Sequence, residues 1–354
     1  MRYLPILKSR LGELTALRQM ADEIAESCLP LVDFVPGGRG GTALEPRYQD
    51  SLESLLNHWN PRFELIVDTH GLPGVERWNP TAYMVDGCAE AQMAVIPAVR
   101  LSDSVGVQRQ VGAAVRRACH QSICIRVTEV DLLGENVSRL PARIDAAIDA
   151  MEKDPDSIHL VVDLGAIAGE RDALHKARIT RLALPYLPHI EYWQSITVAG
   201  GSFPDDLRNV PPKILTRLER SEVGCWRTVA RQLGEKHGRT PGFGDYVVAS
   251  PRHTIGRGFH APPQLRYTVD NAWLVTKYGK NEQHARFFDI CAEIAEHPEF
   301  TPGLTWGDRE IEARSHHDRP PTAPGPGNAT TWRAIGTSHH IGYIVDRITA
   351  RGQR

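Results

Sequence analysis

Short apolar runs alternate with longer amphipathic segments along the first 250 residues of the chain. Eight runs rich in Val, Ile and Leu have the length of strands, at residues 4–8, 29–34, 64–69, 94–100, 122–129, 158–164, 192–199 and 245–250. Between them, apolar residues recur at positions i, i+3, i+4 and i+7, which is the spacing of an amphipathic helix. The pattern therefore predicts eight strand–helix units.

Strands that are apolar on both faces and separated by helices are typical of a covered parallel sheet. Eight such units in about 250 residues indicate an α/β fold, a closed (β/α)8 TIM-like barrel. A doubly wound open sheet is the alternative. Its usual sign is a GxGxxG turn after the first strand, and this chain has LKSRLGEL there.

The pattern changes after residue 250. Residues 263–279 alternate with period two on both sides of a DNA tripeptide, which predicts a β-hairpin, and residues 281–297 have the period of a helix. A Pro/Gly-rich stretch at 319–332 precedes a final helix. Residues 1–250 are therefore predicted to form the barrel, and residues 251–354 an extension packed on it, because their apolar content is too thin for a separate core.

Composition narrows the function classes only slightly. A formal net charge of -2 over 354 residues gives no overall electrostatic argument for nucleic-acid or membrane binding. The six cysteines contain no CxxC pair, so neither a zinc site nor a disulfide framework is indicated, and reduced thiols point to the cytoplasm. The N-terminus lacks a signal peptide's apolar stretch, and no run approaches the length of a membrane span.

Polar side chains end most of the predicted strands. In a barrel the carboxyl ends of all strands meet at one mouth, where barrel enzymes carry their active sites, so these residues are expected to converge. Carboxylates there suit divalent-metal or acid–base chemistry. The candidate catalytic residues are Asp33, Asp68, His70, Glu129 and Asp163, and Asp33, Asp68 and Asp163 are also the candidate ligands of Mg²⁺ or Mn²⁺.

Asp68 and His70 leave the same strand two residues apart. If the strand geometry persists through Thr69, both side chains face the same side, and the aspartate is placed to orient the imidazole as a general base. In the alternative, Gly71 has already turned the chain and His70 is a solvated loop residue. Asp245 precedes the eighth apolar run, which predicts a position at the opposite end of the barrel.

Basic and small polar residues at the same strand exits are candidates for substrate binding. Lys8, Arg100 and Arg126 carry positive charge, and Ser202 lies in a Gly-Gly-Ser turn where backbone amides often hold a phosphate. The alternative is that Asp33, Asp163 and Arg126 form ion pairs that close the end of the barrel.

The C-terminal stretch adds three more candidate binding residues. Trp332 and Arg333 form an aromatic and arginine pair of the kind that stacks on a base or sugar, although such tryptophans also pin appendages to a barrel rim. His339 and His340 occupy adjacent helical positions about 100° apart, so they do not chelate one metal together. One histidine of that pair, with His340 as the candidate, is expected to face the barrel.

Segments at both ends of the chain resemble the beta family proteins of phages and bacteria. The resemblance is carried by YLPILKSRLGELTALRQM, WGDREIE and GNATTWRAIGTSHHI, and it extends over essentially the whole chain. Such proteins occur near mobile elements and defence loci, so the resemblance implies a setting of phage–host conflict and no particular reaction. It also places Lys8, Arg10 and Glu13 near the C-terminal motif, with the tail folded over the mouth.

Two functional hypotheses follow. The first is a metal-assisted phosphodiesterase or nuclease-like effector of an anti-phage defence or mobile-element system, in which His70, Arg100 and Arg126 hold the phosphate of a nucleotide or nucleic acid. The second is a non-catalytic recognition or regulatory module that binds a phage protein or a partner protein from the same locus. Because barrels host many functions, the fold alone does not decide between them.

Overall fold

A closed barrel of eight parallel strands forms the body of the molecule. The computed structural model describes residues 2–35, 44–74, 79–118, 121–252, 261–316 and 322–352. Strands pair in chain order around the barrel, and its last strand pairs with the first, which confirms the (β/α)8 fold over the open sheet. The barrel strands are β1 (Leu4–Lys8), β2 (Leu31–Asp33), β3 (Leu65–Asp68), β4 (Val95–Arg100), β5 (Ile123–Thr128), β6 (Ile158–Ala166), β7 (Ser195–Gly201) and β9 (Gly242–Asp245). The intervening β8 (Thr216–Glu219) lies outside the barrel.

Helices follow the barrel strands and form the outer layer. Two helix starts show why the chain folds locally as it does: Asn79 Oδ1 accepts a hydrogen bond from the Thr81 amide at 2.9 Å, and Ser104 Oγ accepts one from the Val107 amide at 3.3 Å. The helices are α1 (Leu11–Arg18), α2 (Asp22–Glu26), α3 (Leu44–Leu56), α4 (Pro80–Glu90), α5 (Val105–Arg117), α6 (Glu135–Met151), α7 (Glu170–Ala183), α8 (Ser221–His237), α9 (Phe287–Ala295), α10 (Trp306–Ser315) and α11 (Ala329–Gly352), with 3₁₀ turns at Glu129–Leu132, Pro155–Ser157, Leu184–Tyr186 and His284–Arg286. No described helix is both long and apolar enough to cross a bilayer.

The barrel interior changes from apolar to charged toward the carboxyl ends of the strands. One buried cluster fills the interior, with members such as Ile6 on β1, Ile66 on β3 and Cys124 on β5. Side chains two residues apart on a strand share a face, so the next inward positions are the charged ones. They are Lys8, Asp33, Asp68, Arg100, Arg126 and Asp163.

The eighth barrel strand differs from the sequence prediction. It spans Gly242–Asp245 rather than residues 245–250, so Asp245 ends the strand, and the prediction that it lies at the opposite end of the barrel is wrong. A Cβ on Gly244 would lie 2.9 Å from the Ala199 Cβ and 3.1 Å from the Leu4 carbonyl oxygen. Glycine is needed where neighbouring strands approach this closely, and the resulting GFGD strand has one apolar side chain, Phe243, instead of the apolar run that marks the others.

The segment after the barrel contains the predicted hairpin. Strands β10 (Gln264–Val269) and β11 (Ala272–Lys277) pair antiparallel, and β11 also pairs with β8 from the β7–α8 connection. A second apolar cluster joins this sheet to α9 and α11. Helix α11 lies along α1, so close that a Cβ on Gly12 would stand 2.9 Å from the Arg333 Cβ. The helix therefore occupies the outer ring beside the mouth, while the division at residue 250 stays a prediction.

Candidate functional site

Arg126 lies at the centre of a buried charge cluster in the barrel mouth. Its Nη1 is 2.5 Å from Asp68 Oδ2 and 3.6 Å from Asp33 Oδ2, and its Nη2 is 2.7 Å from Asp163 Oδ2. The Arg126 side chain is only 2% exposed. Three of the sequence-predicted catalytic residues and one predicted binding residue therefore meet around a single guanidinium, which we call the Arg126 cluster.

Two further described side chains belong to the Arg126 cluster. The Tyr246 hydroxyl donates to Asp163 Oδ2 at 2.6 Å and accepts from Arg126 Nη2 at 2.8 Å. Arg100 Nη2 lies 2.9 Å from Asp68 Oδ2, and its side chain is 20% exposed. Tyr246 was missed by the sequence reasoning, because it follows the eighth strand that the apolar pattern placed too late. Arg100 is thus the member of the cluster that solvent reaches most readily.

Asp33 and Asp68, which pair on neighbouring strands, have pKa values shifted in opposite directions. Burial raises the pKa of Asp33 to about 6, against the opposing effect of Arg126. Burial also disfavours the charge on Asp68, but Arg126 and Arg100 outweigh it and hold the pKa of that carboxyl below its usual range. For Arg126 itself, the neighbouring Tyr246 and Asp163 outweigh burial and raise the pKa. Asp68 is therefore a fixed anion, whereas Asp33 titrates close to neutral pH.

The Arg126 cluster does not fit Mg²⁺ or Mn²⁺. Both ions need several oxygen ligands that converge on one point, and here the Arg126 guanidinium occupies the point on which the carboxylates converge. Over the described ranges, no group of three or more His, Cys, Asp or Glu side chains is arranged to hold a metal ion. The assignment of Asp33, Asp68 and Asp163 as metal ligands stays a prediction without support from this geometry.

Asp68 and His70 do not form the pair that an extended strand would give. Strand β3 ends at Asp68, and Asp68 Oδ1 accepts a hydrogen bond from the His70 backbone amide at 2.9 Å. The imidazole is 45% exposed and lies 3.5 Å from Asp103 Oδ1. It borders a cavity of about 520 Å³ together with Asn79 and Ser104. His70 therefore belongs to the rim of the mouth, as the loop alternative describes.

Lys8 faces the mouth but is engaged by backbone. Its Nζ donates to the carbonyl oxygens of Ser250 and Arg252, both at 2.7 Å, and burial lowers its pKa to about 8. Arg333 Nη1 donates to the Val248 carbonyl at 2.9 Å and lies 3.7 Å from Glu13 Oε1. The expected approach of the N-terminal and C-terminal motifs is thus seen in the Glu13–Arg333 pair.

The remaining candidate residues lie outside the Arg126 cluster. Glu129 Oε2 pairs with Lys176 Nζ at 2.7 Å, and Ser202 hydrogen bonds to Glu222 at the start of α8. Trp332 is buried in the second apolar cluster, where it stacks on Phe287 with ring centroids 5.2 Å apart. Their catalytic or binding roles stay predictions. Glu129 and Ser202 are half-buried, whereas Trp332 is buried.

His340 and Asp245 belong to a second buried cluster, on the outer side of β9. His340 Nε2 and Arg220 Nη2 lie 2.9 Å and 2.7 Å from Asp245 Oδ2, and the Tyr3 hydroxyl donates to Asp245 Oδ1 at 2.5 Å. Burial lowers the pKa of His340 to about 4, so its imidazole is neutral at neutral pH. This cluster joins α11 and α8 to the barrel wall. The sequence pattern did not predict this structural role for His340 and Asp245.

Comparisons with known proteins place the chain among phage-related sequences. A family model described as Beta protein matches residues 3–346. Protein beta of Enterobacteria phage P4 is 22% identical over 370 aligned residues, which cover 97% of this chain and 93% of that protein. Among solved structures, type I 3-dehydroquinate dehydratase from Clostridium difficile aligns with a TM-score of 0.36 and 11% identity, over 72% of this chain and 87% of that chain.

Proposed function

Because the chain belongs to the Beta protein family, we propose that it is a non-catalytic recognition or regulatory module of a phage or mobile-element system. Its partner is a phage component or an effector protein encoded beside it. The family membership and the phage P4 relative fit an association with phages or mobile elements. The observation that carries the non-catalytic role is the contact of three strand-exit carboxylates with the one Arg126 guanidinium.

Internal neutralisation leaves the mouth poorly equipped for chemistry. A catalytic carboxylate must reach a substrate proton or a metal ion. Asp68 and Asp163 are buried, and their Oδ2 atoms already accept hydrogen bonds: Asp68 from Arg126 and Arg100, and Asp163 from Arg126 and Tyr246. Buried ion pairs of this kind lock one geometry of the barrel end, so the barrel serves as a rigid scaffold for a binding surface.

One observation favours an enzyme as the second candidate. Asp33 and Asp68 are neighbouring carboxyl groups with pKa values shifted in opposite directions, and such a pair is typical of a general acid or base beside a fixed anion. In that case Asp33 transfers the proton and Arg100 receives an anionic substrate. The metal-assisted phosphodiesterase or nuclease-like effector of a defence system requires, in addition, that Arg126 leaves the carboxylates.

The substitution Asp33→Asn separates the two functions. Because the folded pKa of Asp33 is about 6 and its ordinary value is 3.8, ionisation at neutral pH costs folding free energy, and that cost sets in as the pH rises from about 4 to about 6. The asparagine removes this cost. We expect a melting temperature at pH 7 that is equal to or above that of the wild type, and full activity in a phage-challenge assay with the genes of the locus.

An enzyme gives a different result in the same assay. Removal of a general acid or base lowers a rate by about 100-fold to 10,000-fold, so Asp33→Asn would abolish the effect on phage while leaving the protein folded. Asp22→Asn, at an exposed carboxylate, is the matched control for loss of one negative charge. A stable, inactive Asp33→Asn variant beside an active Asp22→Asn variant would contradict the binding-module proposal.

A further inference from the structure

Three cationic side chains converge on the segment that follows the eighth barrel strand. Lys8 Nζ donates to the Ser250 and Arg252 carbonyls at 2.7 Å, while Arg266 Nη1 and Arg333 Nη1 donate to the Val248 carbonyl at 2.5 Å and 2.9 Å. The three cations come from β1, β10 and α11. We call this group, with Glu13, the loop-eight cluster.

Positive charge exceeds negative charge in the loop-eight cluster. Glu13 is the carboxylate that meets it, with Oε1 3.7 Å from Arg333 Nη1 and Oε2 2.5 Å from the Lys8 backbone nitrogen. The nearby Asp205 is matched by Arg252 at 3.0 Å. Arg10 and Asp33 also act on Lys8 with opposite charges, so the four described cations exceed the two described carboxylates by two.

This excess is costly for a partly buried group of charges. Lys8 is 3% exposed, and the carbonyl dipoles around it offset a cation less completely than a carboxylate does. Burial lowers the pKa of both Lys8 and Arg266, and Arg333 lowers the pKa of Arg266 further. Neighbouring cations that lower one another's pKa values favour the binding of an anion, because the bound anion relieves their mutual repulsion.

We propose that the loop-eight cluster is a binding site for the phosphate group of a small phosphomonoester. A phosphate dianion carries about the two negative charges that the cluster lacks, and a guanidinium fork matches the geometry of its oxygens. The Arg333 side chain is 24% exposed, so the anion reaches the site from solvent. The segment after strand eight is also where barrels commonly hold phosphate. Lys8 is next to Asp33 in the pairing of β1 with β2, but the proposal does not depend on whether the chain is catalytic.

The competing explanation is that the cations only fasten the segment to the barrel. Glu13→Gln distinguishes the two, because it removes the carboxylate charge that faces Arg333 while preserving the shape of the side chain. For a phosphate site, the variant binds phosphate more tightly. For a simple clamp, the variant loses stability and gains no affinity for phosphate.

The test is calorimetric titration of the full chain with inorganic phosphate, with sodium chloride of equal ionic strength as the reference. We expect saturable phosphate binding by the wild type, binding about tenfold tighter by Glu13→Gln, and binding about tenfold weaker by Arg333→Met. Arg333→Lys, which keeps the charge but loses the fork, lies between the wild type and Arg333→Met. Arg62→Met removes an exposed cation that pairs with Asp22 and is expected to behave as the wild type.

Two results would overturn the proposal. If phosphate gives the same heat of titration as chloride in both the wild type and Glu13→Gln, the cations only fasten the segment to the barrel. A single-stranded oligodeoxynucleotide without a terminal phosphate that competes with inorganic phosphate at this site would show that phosphodiesters are the ligand. If neither result occurs and the substitutions act as stated, the site takes a small phosphomonoester. Melting curves of each variant, recorded without phosphate, separate loss of binding from loss of fold.

Discussion

A chain that ends at residue 250 is expected to lose cooperative unfolding, which is the largest effect predicted for any change to this protein. The deletion removes α11, and with it a set of buried apolar side chains. At about 1.5–3 kcal/mol for each large side chain, their combined burial is comparable with the whole stability of about 5–15 kcal/mol of a typical domain. The buried apolar residues of α11 include Trp332, Ile335, Ile341, Tyr343, Ile344 and Val345.

The deletion also removes one partner of the buried Asp245 carboxylate. Asp245 loses His340, and β8 loses its pairing with β11, so Arg220 and Tyr3 are exposed at the barrel wall. Thermal and urea unfolding followed by circular dichroism are the measurements, and a chain ending at residue 350 is the control. A soluble 250-residue chain with an unchanged melting temperature would show that residues 251–354 are an independent appendage.

Arg126→Met is expected to cost about 3–5 kcal/mol of unfolding free energy, because it leaves buried carboxylates without their cation. Methionine fills a similar volume, so the loss reports charge rather than a cavity. The deficit relative to the wild type is expected to shrink as the pH falls, because uncompensated carboxyl groups have raised pKa values and become protonated first. Urea unfolding at pH 7 and pH 5 measures both effects.

Arg100→Met is the matched control for Arg126→Met. Arg100 contacts only Asp68 within the Arg126 cluster and is partly exposed, and Asp68 keeps Arg126 when Arg100 is removed. Its loss is expected to cost about 1 kcal/mol, as for a partly exposed ion pair. Equal costs for the two variants, or an unfolding free energy of Arg126→Met within about 1 kcal/mol of the wild type, would show that Arg126 is not the centre of the cluster.

The convergence of charged residues at the mouth was predictable from the sequence, but their pairing was not. Asp33, Asp68 and Asp163 each follow an apolar run, and a parallel barrel brings the ends of such runs together. Which cation they meet depends on contacts across the barrel between residues far apart in the chain, such as Arg126 with Tyr246. Local patterns carry no information about such contacts.

Errors in the sequence prediction arose where side chains did not signal the local backbone. The GFGD strand is built from glycines that allow close strand contact, so its end, and the position of Asp245, were misjudged. For His70 the sequence left two alternatives open, and the structure has the loop: β3 ends at Asp68, and the Leu72 amide donates to the Thr69 carbonyl at 2.8 Å in a turn. The burial of His340 on α11 also has no local sign in the sequence, because its partner Asp245 is brought to it only by tertiary packing.

The most direct test of whether Arg126 neutralises the carboxylates of the mouth is a titration of the full chain with Mn²⁺, in which electron paramagnetic resonance measures the free ion. If Arg126 neutralises Asp33, Asp68 and Asp163, the free Mn²⁺ signal rises from the first addition, and Asp163→Asn gives the same curve as the wild type. Uptake of one Mn²⁺ per chain by the wild type, lost in both Asp33→Asn and Asp163→Asn, would contradict a self-neutralised scaffold and restore the metal-assisted enzyme.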